Sequence, residues 1–178
     1  MLYLQRYYSQ KTSVQTHIAM KTLELVAKIQ ICKQNELTEE QKNVVDAAKK
    51  ATSGSYAPYS NFNVGAAVLL DNGEIVQGSN QENAAYPSGL CAERTALFYA
   101  GAQFPDAKVC KIAVVACKNG EFTKKICSPC GACRQVMLES QYRAGAPIEV
   151  LLCSNDEIYV FESVDALLPF GFDYDDLK

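Results

Sequence analysis

Two short cysteine clusters restrict this 178-residue chain more than anything else in it: Cys91-Ala92-Glu93-Arg94, and Pro129-Cys130-Gly131-Ala132-Cys133-Arg134. Thiolates bind zinc readily. A structural zinc site closes its tetrahedron with a fourth protein ligand, whereas a catalytic site leaves that position to water. Cys91, Cys130 and Cys133 offer three ligands, and Glu93 is a carboxylate able to move the protons of a water at the open position. Cys130 and Cys133, at i and i+3, share one helical turn. Cys91 and Glu93 are two residues apart and would point to different flanks of a helix. They converge only on an ion lying off the helix N-terminus. Both clusters fall where a helix is expected to start, so the ion is expected between two helix N-termini.

Other readings of the cysteines stand beside this one. A Cys-x-x-Cys pair is also found in redox sites and in structural zinc half-sites. Cys127 extends the second cluster to Cys-x-x-Cys-x-x-Cys, the opening of a ferredoxin run, but Met137 stands where the next cysteine would be needed. As a fourth ligand, Cys127 would make the zinc structural and the chain an interaction module. Cys32, Cys110, Cys117 and Cys153 lie in apolar, strand-like stretches and read as small buried hydrophobes. A disulfide scaffold needs an oxidising compartment. The polar, tyrosine-rich N-terminus lacks the apolar centre of a signal peptide, and no apolar run approaches the ~20 residues of a membrane helix. A cytoplasmic protein with no membrane partner is expected. The net charge of -3 and the absence of a basic cluster argue against a nucleic-acid partner and favour a small, weakly charged substrate. The one histidine, His17, lies in the leader, which leaves the domain without imidazole.

In chain order, residues 1–21 read as a disordered leader, with Met20 an alternative start, and residues 22–178 as a single domain. Leu23, Leu25, Ala27, Ile29 and Ile31 alternate with mostly polar residues, which predicts a strand with one wet face. Thr38 and Gln41 form a capping box ahead of Val44, Val45, Ala48 and Ala51, the apolar face of a helix that ends at Ser53-Gly54-Ser55. Phe62–Leu70 and Glu74–Gly78 are expected to be strands joined at Asp71-Asn72-Gly73. Helices are expected over Cys91–Ala100 and Gly131–Tyr142, a short one over Ser163–Leu168, and strands over Cys110–Cys117, Ile148–Cys153 and Glu157–Phe161. Helices and strands that alternate in this way predict an α/β fold, three layers α/β/α around a mixed, roughly five-stranded sheet.

The two clusters resemble the zinc-dependent cytidine deaminases, in their short-chain, all-cysteine, homotetrameric branch. The resemblance continues through Tyr56-Ala57-Pro58-Tyr59-Ser60-Asn61-Phe62, Val64-Gly65-Ala66-Ala67, Asn80-Gln81-Glu82-Asn83-Ala84-Ala85-Tyr86 and Leu167-Leu168-Pro169 ahead of Phe172. It covers roughly residues 38 to 177. It implies one zinc per chain on Cys91, Cys130 and Cys133, and hydrolytic deamination of cytidine and deoxycytidine in pyrimidine salvage. Glu93 would carry protons to N3 and to the departing amine. The family also suggests substrate contacts: Phe62 stacking on the pyrimidine, Asn80 and Glu82 on the ribose hydroxyls, Ala92 as a further contact, and Tyr86 reaching across a subunit interface. Phe172 would close the site of a neighbouring subunit in a homotetramer, with Phe170 the competing choice for that position. Arg94 is expected to hydrogen-bond a thiolate sulfur and withdraw charge from it. A cytosine-containing antibiotic nucleoside is the alternative substrate. The leader, its first strand and an insert around Glu121-Phe122-Thr123-Lys124-Lys125 depart from the family pattern.

Overall fold

The computed structural model describes residues 20–178; residues 1–19, most of the expected leader, lie outside the described residues. In chain order the elements are β1 (Gln30–Cys32), α1 (Glu39–Ala51), β2 (Phe62–Leu70), β3 (Ile75–Ser79) and α2 (Ala92–Gln103). They continue with β4 (Val109–Lys118), β5 (Glu121–Phe122), α3 (Gly131–Ala144), β6 (Glu149–Cys153) and β7 (Ile158–Phe161). The strands form one sheet in the order β1-β7-β6-β4-β2-β3, with β5 attached to β4. Five longer strands are its body, and the short β1 and β5 bring the total to seven. The pair β4–β6 is parallel and the others are antiparallel, so the sheet is mixed as expected.

Side-chain alternation along the strands builds the three layers. Ala67 and Leu69 of β2, Ala113 and Val115 of β4, and Leu151 and Cys153 of β6 pack with Val44, Val45 and Ala48 of α1. The alternate residues Ala66, Val68, Ile112, Val114, Val150 and Leu152 pack on the opposite face with Ala92, Ala96 and Leu97 of α2 and Met137 and Leu138 of α3. Both faces of the central strands are therefore covered, which is why β4 reads as an unbroken apolar run. The start of α1 forms as the capping box predicts. The Thr38 hydroxyl accepts from the Gln41 amide at 3.2 Å, and the Gln41 side chain accepts from the Thr38 amide at 3.0 Å.

Two local expectations change. The long first strand shrinks to Gln30–Cys32, because its partner β7 ends at Phe161 and Gln30 already faces Val160. Residues 20–29 run past that end and are exposed. The helix expected over Ser163–Leu168 is a single 3-10 turn at Val164–Ala166, capped by the Ser163 hydroxyl.

Strand direction decides where the helices begin. Both β3 and β4 run antiparallel to β2, hence parallel to each other. The next helix after β3 is α2 and the next after β4 is α3, so both helices start at the same edge of the sheet. Gly78 lets β3 approach α2 closely enough for this. A Cβ at Gly78 would sit 2.6 Å from the Ala92 carbonyl and 2.8 Å from Ala96 Cα, contacts that only a backbone shift can relieve. Gly78→Ala should therefore lower unfolding free energy by about 2–3 kcal/mol. Gly101→Ala has only the Arg143 side chain near, at 3.5 Å, and should raise it by up to about 1 kcal/mol through helix propensity. Denaturant titration of both variants checks the contrast.

Candidate metal centre and substrate cleft

Cys91 is the N-cap of α2 and Cys130 the N-cap of α3, so the strand directions just described bring these two cysteines together. Cys133 follows one turn into α3. The Cys91 and Cys130 sulfurs are 3.9 Å apart, those of Cys130 and Cys133 3.4 Å, and all three lie within 4.8 Å of one another. A tetrahedron with Zn–S bonds of about 2.3 Å places its sulfurs about 3.8 Å apart. The cluster fits a zinc ion. Cys127, the sequence's candidate fourth ligand, does not join the group of residues able to hold a metal. Burial instead pushes its thiol up to about 11, where it stays protonated at neutral pH.

The charges point the same way. Hydrogen bonding from the Cys133 thiol, helped by Arg94, brings Cys91 down to about 5, while the bond to Cys91 and burial push Cys133 well above the usual thiol range. Ionising all three sulfurs requires a positive ion among them. The first amides of both helices contribute partial positive charge here. The Arg94 guanidinium lies 4.0 Å from the Cys91 sulfur and 3.4 Å from the Gly89 carbonyl.

Glu93, in the first turn of α2, is 4% exposed, and burial pushes its carboxyl up from the ordinary range. It opens with Cys91, Cys130 and Arg94 onto a cleft of about 690 Å³, a size suited to a small organic ligand. Phe62, Asn80, Glu82 and Tyr86 line the same cleft. Ala92 is fully buried in the first turn of α2. Phe172 stands apart: it is 58% exposed and does not line its own chain's cleft.

The polar residues of the cleft already have structural work. Asn80 Oδ1 accepts from the Val64 amide at 2.8 Å and from the Ser55 hydroxyl, and its Nδ2 donates to the Phe62 carbonyl at 2.9 Å. This fixes the orientation of the carboxamide and leaves one N–H. Glu82 accepts from the Tyr59 amide at 2.9 Å, the Ser60 amide at 3.3 Å and the Ser60 hydroxyl at 2.5 Å. The Ser60 hydroxyl, followed by the Tyr59 amide, holds its carboxyl below the ordinary range. Asn80 and Glu82 thus clamp the loop that presents Phe62.

Arg134 is the last residue of the second cluster. Its Nε donates to the Pro129 carbonyl at 2.9 Å and its Nη1 to the Leu167 carbonyl at 2.9 Å. It braces the turn that holds Cys130. The sequence signal for this was slight, since the second acceptor is 33 residues away.

Comparison with known proteins gives one consistent result. Residues 38–145 match the family model described as the cytidine and deoxycytidylate deaminase zinc-binding region. A cytidine deaminase of Halalkalibacterium halodurans is 41% identical over 139 residues, covering 78% of this chain and 98% of that protein. A probable cytidine deaminase of Dictyostelium discoideum is 37% identical over 139 residues, covering 78% and 88% respectively. Among solved structures, the cytidine deaminase of Burkholderia pseudomallei superposes with a TM-score of 0.62 at 41% identity, over 76% of this chain and all of that one.

If three sulfurs hold the metal, Cys133→Ala should lose zinc while Cys127→Ala keeps one zinc per chain. Metal analysis of the two purified variants decides this. Zinc loss from Cys127→Ala would mean a closed, four-ligand site.

Proposed function

The chain belongs to the cytidine and deoxycytidylate deaminase family and deaminates cytidine hydrolytically; on that premise we propose that the cleft above Cys91, Cys130 and Cys133 is its active site, and that deoxycytidine is a second substrate. One observation carries the assignment: a buried carboxyl, Glu93, opens onto the cleft beside three clustered thiols. When bound, zinc supplies a Lewis acid that brings the pKa of a water near neutrality.

Glu93 does the proton work. It takes a proton from the attacking water, delivers it to N3 of the pyrimidine, and then passes a proton to the amine leaving C4, so that cytidine and water give uridine and ammonia. Its burial suits this double role, because burial raises the carboxyl above the ordinary range and so favours its holding a proton between the two transfers. Phe62 stacks on the base. The free N–H of Asn80 and the carboxylate of Glu82 receive the ribose hydroxyls; Tyr86 bounds the same pocket, and Ala92 lies buried between Cys91 and Glu93, which line it. Arg94, beside the Cys91 sulfur, draws charge from the thiolate and so keeps the centre less negative.

The working form is a homotetramer in which Phe172 closes a neighbour's cleft. Its 58% exposure and its position outside its own cleft support this, as does the 77% exposure of Tyr86 at the cleft rim. The eight free cysteines suit a reducing, cytoplasmic setting. Among the described residues no helix is long and apolar enough to cross a membrane.

Purified protein should lower ultraviolet absorbance as it converts cytidine. Glu93→Gln should keep its zinc and fold but lose roughly 10²–10⁴-fold in turnover. A variant that retains more than about a tenth of the parent rate removes Glu93 from the proton path.

The shared site has its own test. Phe172→Ala keeps a complete metal centre but offers no lid, while Glu93→Ala is dead yet can still lend one. Co-expressing the two should give activity above either alone. No gain, in samples confirmed to hold mixed oligomers, would place Phe172 outside any neighbouring site.

A further inference from the structure

The segment preceding β1 is the largest feature that the deaminase reading leaves unused. The family model begins at residue 38, so residues 20–29 lie outside the region shared with the deaminases. They are exposed throughout and carry no regular hydrogen-bonded structure. Yet Leu23, Leu25, Val26, Ile29 and Ile31 are large apolar side chains exposed by 42% to 84%. Leu23, Leu25, Ile29 and Ile31 keep an even spacing that leads into the edge strand β1, and exposed aliphatics so spaced are a surface that water solvates poorly and that a further strand would cover.

The chain itself supplies no partner among the described residues. One edge of β1 pairs with β7 in the register Gln30↔Val160, and β1 has no second neighbour in the sheet. Continued backward, that register brings Ile29 to Phe161, the last residue of β7. Leu23 to Lys28 then extend beyond the partner strand.

The sequence of this overhang is complementary to itself. Laid antiparallel against a second copy with Val26 on the twofold axis, Glu24 faces Lys28 of the other chain, and Lys28 faces Glu24. Leu23 then faces Ile29, Leu25 faces Ala27, and Thr22 faces Gln30. Every charge between residues 22 and 30 meets its opposite, and every odd-numbered pair in that span is apolar. No other antiparallel self-register places Glu24 opposite Lys28. Opposite charges and apolar pairs directly across two strands are the units that stabilise a sheet. A self-complementary edge closes a twofold interface, with the same patch used on both chains.

We propose that residues 22–30 are an assembly strand, pairing antiparallel with the same residues of a second copy of this chain in the register centred on Val26. The two sheets then continue into each other through their β1 edges. This contact is separate from the one that would carry Phe172 to a neighbour. It does not depend on the cleft being the active site.

Charge exchange in the full-length, zinc-loaded chain tests it. Glu24→Lys places two lysines opposite each other at both ends of the pairing, and Lys28→Glu does the same with two glutamates. Each variant alone should self-associate roughly tenfold more weakly in sedimentation velocity, since two favourable cross-strand pairs become two repulsive ones. Mixing them should restore association, because every facing pair is then opposite in sign, and the double variant should restore it alone. Val26→Cys, under mild oxidant, should give an interchain disulfide dimer on non-reducing gels that neither the parent nor Ala27→Cys shows.

Association unchanged in both charge variants, or weakened in both without recovery on mixing, overturns the proposal, as does the absence of a Val26→Cys cross-link. Those results would be expected if residues 1–19 of the same chain, or a different protein, covered the segment. Cytidine turnover should stay within about twofold in all these variants, because none of the altered residues lines the cleft. Loss of activity alone would bear on the deaminase reading and leave this one standing.

Discussion

The metal centre depends on a constraint of strand direction. β3 and β4 lie on either side of β2 and run parallel to each other because each is antiparallel to it. A helix that follows a strand and packs back across the sheet must begin near that strand's end. α2 and α3 therefore start side by side, and residues 39 positions apart, Cys91 and Cys130, become neighbours at 3.9 Å. Reversing either strand would send one helix N-terminus to the far edge. Gly78 belongs to the same constraint, since it permits the close approach of β3 to the backbone of α2 that fixes where the first ligand stands.

Placing thiols at helix N-termini also sets their chemistry. The hydrogen bond from Cys133, helped by Arg94, favours negative charge at Cys91, while that same bond and then burial resist it at Cys133, and burial resists it at Glu93. Two opposed tendencies thus operate within a few ångströms. The half-buried Cys91 favours thiolate, and the buried Cys133 favours the protonated thiol. A cation resolves the conflict by replacing those protons, which is the linkage expected of a metal site assembled by folding. Cys127, half-buried on the wall of the same cleft and outside the group of clustered sulfurs, stays a thiol.

Much of this was legible in the sequence because the deciding signals are local. The Thr38–Gln41 capping box, the Asp71-Asn72-Gly73 turn and the Cys130–Cys133 spacing each act within four residues, and each formed as read. The first strand was misjudged in length because alternation reports which face is apolar and says nothing of whether a neighbouring strand is long enough to pair. The roles of Asn80 and Arg134 were hidden for a related reason. Their partners, Ser55, Phe62 and Val64 for one and Leu167 for the other, come from distant parts of the chain. The sequence pattern places Asn80 only in the cleft, and the fold adds that its carboxamide ties Val64 and Phe62 in place.

Arg134 and its neighbour connect the metal turn to the end of the chain. Arg134 joins the Pro129 carbonyl, immediately before Cys130, to the Leu167 carbonyl, and Gln135 donates to the Phe172 carbonyl at 2.6 Å. The first turn of α3 therefore fixes one metal ligand and the backbone of the C-terminal segment together. Leu168 supports the same join, since its side chain and that of Leu138 in α3 leave Gly171 no room for a Cβ without displacing them. A glycine between two exposed phenylalanines lets the backbone lie against α3 while Phe170 and Phe172 project outward. A side chain at Gly171 would push the ends of the Leu138 and Leu168 side chains aside, loosening the packing beneath the backbone from which Phe172 projects. The geometry of an outward-facing aromatic and that of a buried thiol thus rest on the same helical turn.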